Sequence, residues 1–173
     1  IEDIQKFTRV MADMAQATVL TSEEAATNMA RVAAVMQLPL AEVDRLGASI
    51  VALGNNFAAN EREILAFTTR IAGAGRIAGL TSAQVAAIGA AMASVGIEAE
   101  AGGTAVQKVL LSMTKAVAEG GKDLSAFAKA TGQTTEEFAR SFREDAAGAL
   151  TRFVESLGAM GDKAFKVLGD LGL

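Results

Sequence analysis

Histidine, cysteine, tryptophan and tyrosine are all absent from this chain of 173 residues, and proline occurs once. Each absence removes a class of chemistry. Without His or Cys, zinc, haem and iron–sulfur centres lose their usual ligands. Triad and thiolate catalysis lose a base or a nucleophile. No disulfide can form, so cysteine usage carries no information about redox compartment. Carboxylate and lysine chemistry stays open on composition alone. A net charge of -4 and a pI near 4.9 lack the clustered Lys/Arg that phosphate binding needs. No metal, cofactor or specific nucleic-acid binding is therefore expected.

What is present favours helices. Hydrophobic residues make up 51% of the chain, above the globular norm and ample to offset the entropy of ordering. Ala, Leu, Met, Glu, Lys and Arg dominate, and the near-absence of proline argues against an all-β protein. The length allows one or two small domains with a sizeable core. The chain starts at Ile1 and not at a methionine, so it is expected to be part of a longer polypeptide, and no signal peptide is visible.

Helical spacing recurs from end to end. Ile4, Phe7, Met11 and Met14 share one helical stripe, as do Ala25, Met29, Val32 and Met36 after a Thr21/Glu24 capping box. The Leu38-Pro39-Leu40 step breaks the chain. Val43, Leu46, Ile50 and Leu53 follow, up to Gly54-Asn55-Asn56, a C-terminal signal. Asn60 with Glu63 caps a helix burying Ile64, Phe67, Thr68 and Ile71, expected to fray at Gly73, Gly75 and Gly79. Thr81 with Gln84 opens one carrying Val85, Ile88, Met92 and Val95 up to Gly96. Past Gly102-Gly103 comes Val106, Val109, Leu110, Met113 and Val117, ending at Gly120-Gly121. Leu124, Phe127 and Ala128 form a short helix up to Gly132. Thr134 with Glu137 starts the next, with Phe138, Phe142, Ala149, Phe153 and Leu157 inward, and a last turn or two holds Phe165 and Leu168. The fold class read from this is all-α, a compact array of eight or nine short helices with glycine-marked turns. Gly120-Gly121 and Gly158 to Gly161 are candidate hinges, and no repeat of fixed period is visible. Three parts are expected: an N-terminal helical hairpin over 1–40, a core helical region over 41–160, and a continuation over 161–173.

Candidate chemistry dissolves on inspection. The Gly73-Ala74-Gly75-Arg76-Ile77-Ala78-Gly79 run follows a helix, whereas a dinucleotide loop follows a strand. Glu98 and Glu100 precede a helix, where carboxylates meet the positive end of its dipole; a catalytic pair needs a cleft that separates their pKa values. Arg140 to Asp145 reads as a solvated helix face. Met11, Met14, Met29, Met36, Met92 and Met113 read as adaptable core. The uncharged Ile77 to Ile97 stretch reaches the roughly 20 residues of a membrane span, but its Ala, Gly, Thr and Ser insert poorly. A buried soluble helix is the expectation there. Ala83, Ala87, Ala90, Ala91 and Ser94 line the small-residue face of that helix, and with Met92 and Met113 they are the candidate interaction or packing residues. Self-association or contact with a partner is the expected use of that face, and burial inside a larger core is the alternative.

Leu53-Gly54-Asn55-Asn56-Phe57-Ala58, with Glu61, Ile64 and Arg70 to Gly75, forms one distinctive motif. Gly79-Leu80-Thr81 leading into Gln84-Val85-Ala86-Ala87 forms a second. The third is Ser94-Val95-Gly96-Ile97-Glu98-Ala99-Glu100-Ala101-Gly102-Gly103-Thr104-Ala105. Phe127-Ala128, Gly132, Glu137-Phe138-Ala139, Asp145-Ala146-Ala147, Phe153 and Leu157 continue the order. In these motifs the chain resembles the core region of phage tail tape measure proteins, strongly from about Asp44 to Leu157 and weakly before. The resemblance implies a structural, non-enzymatic protein of the tail tube lumen or tail tip, present in the host cytoplasm during assembly. It implies a role in setting tail length, in nucleating assembly from the tip, and in release at genome ejection. The implied partners are further copies of the chain, tail tip or baseplate hub proteins, the tube protein and tail assembly chaperones. A membrane-active module aiding DNA passage, with transient membrane contact, is the alternative. A ruler needs long helices of fixed rise, so these short helices are expected to be a docking part and not the measuring shaft.

Overall fold

The computed structural model describes residues 2–173, and five of the helices in it begin at a side-chain cap that the sequence supplies. Among the described residues the regular structure consists of ten α-helices. They are α1 (Glu2–Ala17), α2 (Ser22–Met36), α3 (Leu40–Asn56), α4 (Glu61–Ile77), α5 (Ser82–Ser94), α6 (Ala99–Glu119), α7 (Gly121–Ala130), α8 (Thr135–Glu144), α9 (Ala146–Met160) and α10 (Lys163–Asp170). Thr21/Glu24, Thr81/Gln84 and Thr134/Glu137 each close a reciprocal capping box. Asn60 and Glu63 do the same: the Asn60 N–H donates to the Glu63 carboxylate at 3.1 Å, and Asn60 Oδ1 accepts from the Glu63 N–H at 3.0 Å. Each such cap stabilises its helix by about 1 kcal/mol.

The all-α expectation holds, but its count of eight or nine falls short of ten. Phe138, Phe142, Ala149 and Phe153 keep one rhythm across α8 and α9, which hides a break at Asp145. There the backbone leaves helical space at φ −150°, ψ 85°. The Asp145 N–H closes α8 on the Ser141 carbonyl at 2.8 Å, and its side chain accepts from the Gly148 N–H at 3.0 Å to open α9. Two boundaries also differ from the sequence reading. α4 runs unbroken through Gly73 and Gly75, and α6 starts before Gly102-Gly103. Glycine weakens a helix interior by only about 1 kcal/mol against alanine, which tertiary packing easily overrides. α2 ends on Gln37 in the left-handed region (φ 54°), and the N–H of Leu38 returns to the Ala33 carbonyl at 2.9 Å.

Two compact units emerge. The first comprises the residues up to Arg76 together with Thr81–Thr104. Its core is aliphatic and methionine-rich: Met11 and Met14 of α1, Met29, Val32 and Met36 of α2, Leu46 and Ile50 of α3, Ile64, Leu65, Phe67 and Ile71 of α4, and Val85 of α5 are buried. Helix α1 packs on both α2 and α3, and α3 packs on α5. The second unit comprises Ile77–Leu80 and Ala105–Leu173. Leu110 and Met113 of α6 are fully buried in it, as are Phe127, Phe138 and Phe153 of α7, α8 and α9. Phe127 stacks on Phe138 with ring centroids 5.7 Å apart, and meets Phe153 edge-on at 5.1 Å. Phe142 stacks on Phe138 at 6.4 Å. Each such pair adds about 0.5–1.5 kcal/mol beyond the area it buries.

Candidate functional site

Two of the sequence motifs meet at α4, which glycines on three neighbouring helices approach. Gly54, in the last turn of α3, lies so close to the Glu61 carboxylate that a Cβ there would overlap it. Gly89 of α5 faces Phe67, where a Cβ would stand 2.9 Å from the Phe67 Cβ and 3.2 Å from the Ile64 carbonyl oxygen. Gly102 of α6 lies against Ile97 and the Phe67 ring, and Gly103 against the aliphatic stem of Arg70. Backbones come this near only where side chains are missing. Two motifs some forty residues apart in the chain thus serve one purpose, the seating of α4.

The remaining motif residues finish the helix ends around this seat. Asn55, Asn56 and Phe57 are exposed, and Asn56 Nδ2 donates to the Ala52 carbonyl at 2.7 Å, closing the last turn of α3. Gly96 turns the chain out of α5 at φ 76°, a conformation that disfavours any side chain. The Glu98 carbonyl then accepts from the Gly102 N–H at 2.9 Å, and Glu100 sits exposed in the first turn of α6. Arg70 Nη2 donates to the Thr104 hydroxyl at 3.0 Å, fastening α4 to α6.

Between these ends lies an apolar cleft of about 280 Å³. Phe67 and Ala93 are its buried floor, Ala66, Ile97 and Ala99 its walls, and Arg62, Glu63 and Glu98 its charged rim. Arg62 is already engaged. Its Nη2 donates to Glu24 at 3.1 Å and to the Val19 carbonyl at 2.9 Å, and its Nε donates to Glu24 at 3.2 Å. This hydrogen bonding from Arg62, together with the Thr21 amide, holds the Glu24 carboxyl down at about 2, against an ordinary 4.5. At the other end of α4, Arg76 donates to the Val35 carbonyl of α2 at 3.2 Å. Helices α2 and α4 are thereby pinned side by side at both ends.

The proposed interaction residues fall in different places. Ala87 and Ala91 are exposed on α5, as is Ala83, while Ala90 is buried. Ser94 and Met92 are half-buried, and the Ser94 hydroxyl donates to the Ala91 carbonyl at 2.8 Å. Met113 is fully buried in the second unit and is a packing residue there. Sequence reasoning did not find Gly89, the burial of Glu61 or the Arg62–Glu24 pair. Glu24 was legible as a cap, but a partner 38 residues away leaves no local signal. Among the described residues no group of His, Cys, Asp or Glu is placed to hold a metal ion, and no helix is long and apolar enough to cross a membrane. The stretch from Ile77 to Ile97 is divided by a turn at Gly79 (φ 84°), and its helix α5 has 13 residues.

No curated protein and no solved structure matches the chain. The family of phage-related minor tail proteins does match, over residues 1–172, and the chain belongs to that family.

Proposed function

We propose that this chain is a folded docking segment of a tail tape measure protein. Membership of a phage tail family makes it a structural protein of the virion. The observation that carries the finer reading is helix length. The longest helix, α6, has 21 residues and so spans about 32 Å, too little for a shaft that measures a tail. The short helices, packed on one another within each of the two units, instead present surfaces. Measuring length then falls to extended helix elsewhere in the same polypeptide, and this segment anchors that shaft during assembly from the tail tip and leaves with it at genome ejection. The partners proposed are further copies of the chain, tail tip or baseplate hub proteins, the tube protein and the assembly chaperones.

The uncharged outer face of α5, with Ala83, Ala87 and Ala91 exposed in register, is the surface proposed for contact between copies. Small residues there allow backbones to approach closely. Size-exclusion chromatography with light scattering tests this: the chain should self-associate, and Ala87→Glu or Ala91→Glu should return it to a monomer. A monomer at high concentration that also fails to bind purified tail tip proteins overturns the docking reading.

A further inference from the structure

We infer that the cleft between the start of α4, the end of α5 and the start of α6 receives one bulky apolar side chain from a protein segment flanked by Lys or Arg. The inference rests on the docking reading above and gives the chemistry of a partner. Three observations lead to it. The cleft of about 280 Å³ lies below the usual range for cofactor and small-molecule sites but accommodates a single Leu, Met or Phe. Its apolar wall opens outward, because Ile97 in the lining stays 39% exposed. Exposed apolar surface continuous with a concave pocket is the usual form of an anchor-residue site.

The rim decides the sign of the partner. Glu63 and Glu98 line the cleft, and both are exposed. Arg62, the cation in the lining, is already paired with Glu24 and also donates to the Val19 carbonyl. The rim is therefore net acidic, and a basic flank complements it. Gly102 maintains the shape, since a Cβ there would displace both Ile97 and the Phe67 ring.

Fluorescence anisotropy tests this on the whole chain. The probes are labelled peptides of the form Lys-Arg-X-Arg-Lys, with X as Ala, Leu or Phe, and a Glu-Asp-Leu-Asp-Glu control. Affinity should rise from Ala to Leu and Phe, the acidic control should not bind, and added salt should weaken binding. Ala66→Leu fills the cleft from an exposed position and should weaken the Leu and Phe peptides about tenfold, the loss of one anchor contact. Glu98→Gln should weaken them about threefold, as for an exposed charge pair. Circular dichroism confirms that both variants fold. No binding of the basic peptides, equal binding of the acidic one, or affinity unmoved by Ala66→Leu overturns the inference. The monomer-forming Ala87→Glu variant should bind the peptides unchanged, so a failure of self-association and a failure of the cleft are read separately.

Discussion

A methyl group at Gly54 would need the space held by the Glu61 carboxylate, and Glu61 is buried to 7% exposure in the first turn of α4. Relief requires the carboxylate to move or α3 and α4 to part. Gly54→Ala should therefore destabilise the chain by up to about 2 kcal/mol, an overpacking cost of about 1–3 kcal/mol less the roughly 1 kcal/mol that alanine gains over glycine inside a helix, measured as a lower midpoint in urea. Added to Glu61→Ala, the same change should cost about 1 kcal/mol less; strict additivity would remove the clash as its cause. Glu24 carries a second residue-level consequence. Its carboxyl titrates at about 2 in the folded chain and ordinarily at 4.5, so the folded state favours the ionised form. Its contribution is complete above pH 4.5 and disappears as the pH falls toward 2. Glu24→Gln should flatten the acid limb of a stability–pH curve in that window, and little above it. An acid limb identical to that of the parent chain would show that the Arg62 pair contributes nothing.

Single elements show what a sequence reveals and what it hides. The four capping boxes were legible because cap and partner lie three residues apart, and all four are formed. Buried stripes such as Ala25, Met29, Val32 and Met36 were legible for the same local reason. The Asp145 break was not, because apolar spacing passes through it unchanged and Gly148, not Glu or Gln, stands three residues on. Asp145→Ala removes the side chain that opens α9 and should cost about 1 kcal/mol, seen as a lower thermal midpoint with helix content retained at low temperature. Of the candidate site, the glycine motifs were visible, but their meaning was not. Nothing local says that Gly54 and Gly102 both face α4, since that follows from which helices become neighbours. Val95 was read as inward from its spacing with Met92, yet it is exposed, because α5 ends one residue before it.

Over the whole molecule, the two units divide the side-chain types between them. Phe127, Phe138, Phe142 and Phe153 cluster in the second unit, while the first has Phe67 as its buried ring. With no Trp or Tyr in the chain, near-ultraviolet circular dichroism arises from phenylalanine alone and should be dominated by the second unit. Phe138→Leu should remove most of that signal, whereas Phe67→Leu should spare it; the reverse result would contradict the packing described. Four methionines can report on the first unit. Met11, Met14, Met29 and Met36 are shielded in the folded chain, and thioethers oxidise when oxidant reaches them. In dilute peroxide the mass gained at these four positions becomes a clock, counting how often the first unit opens.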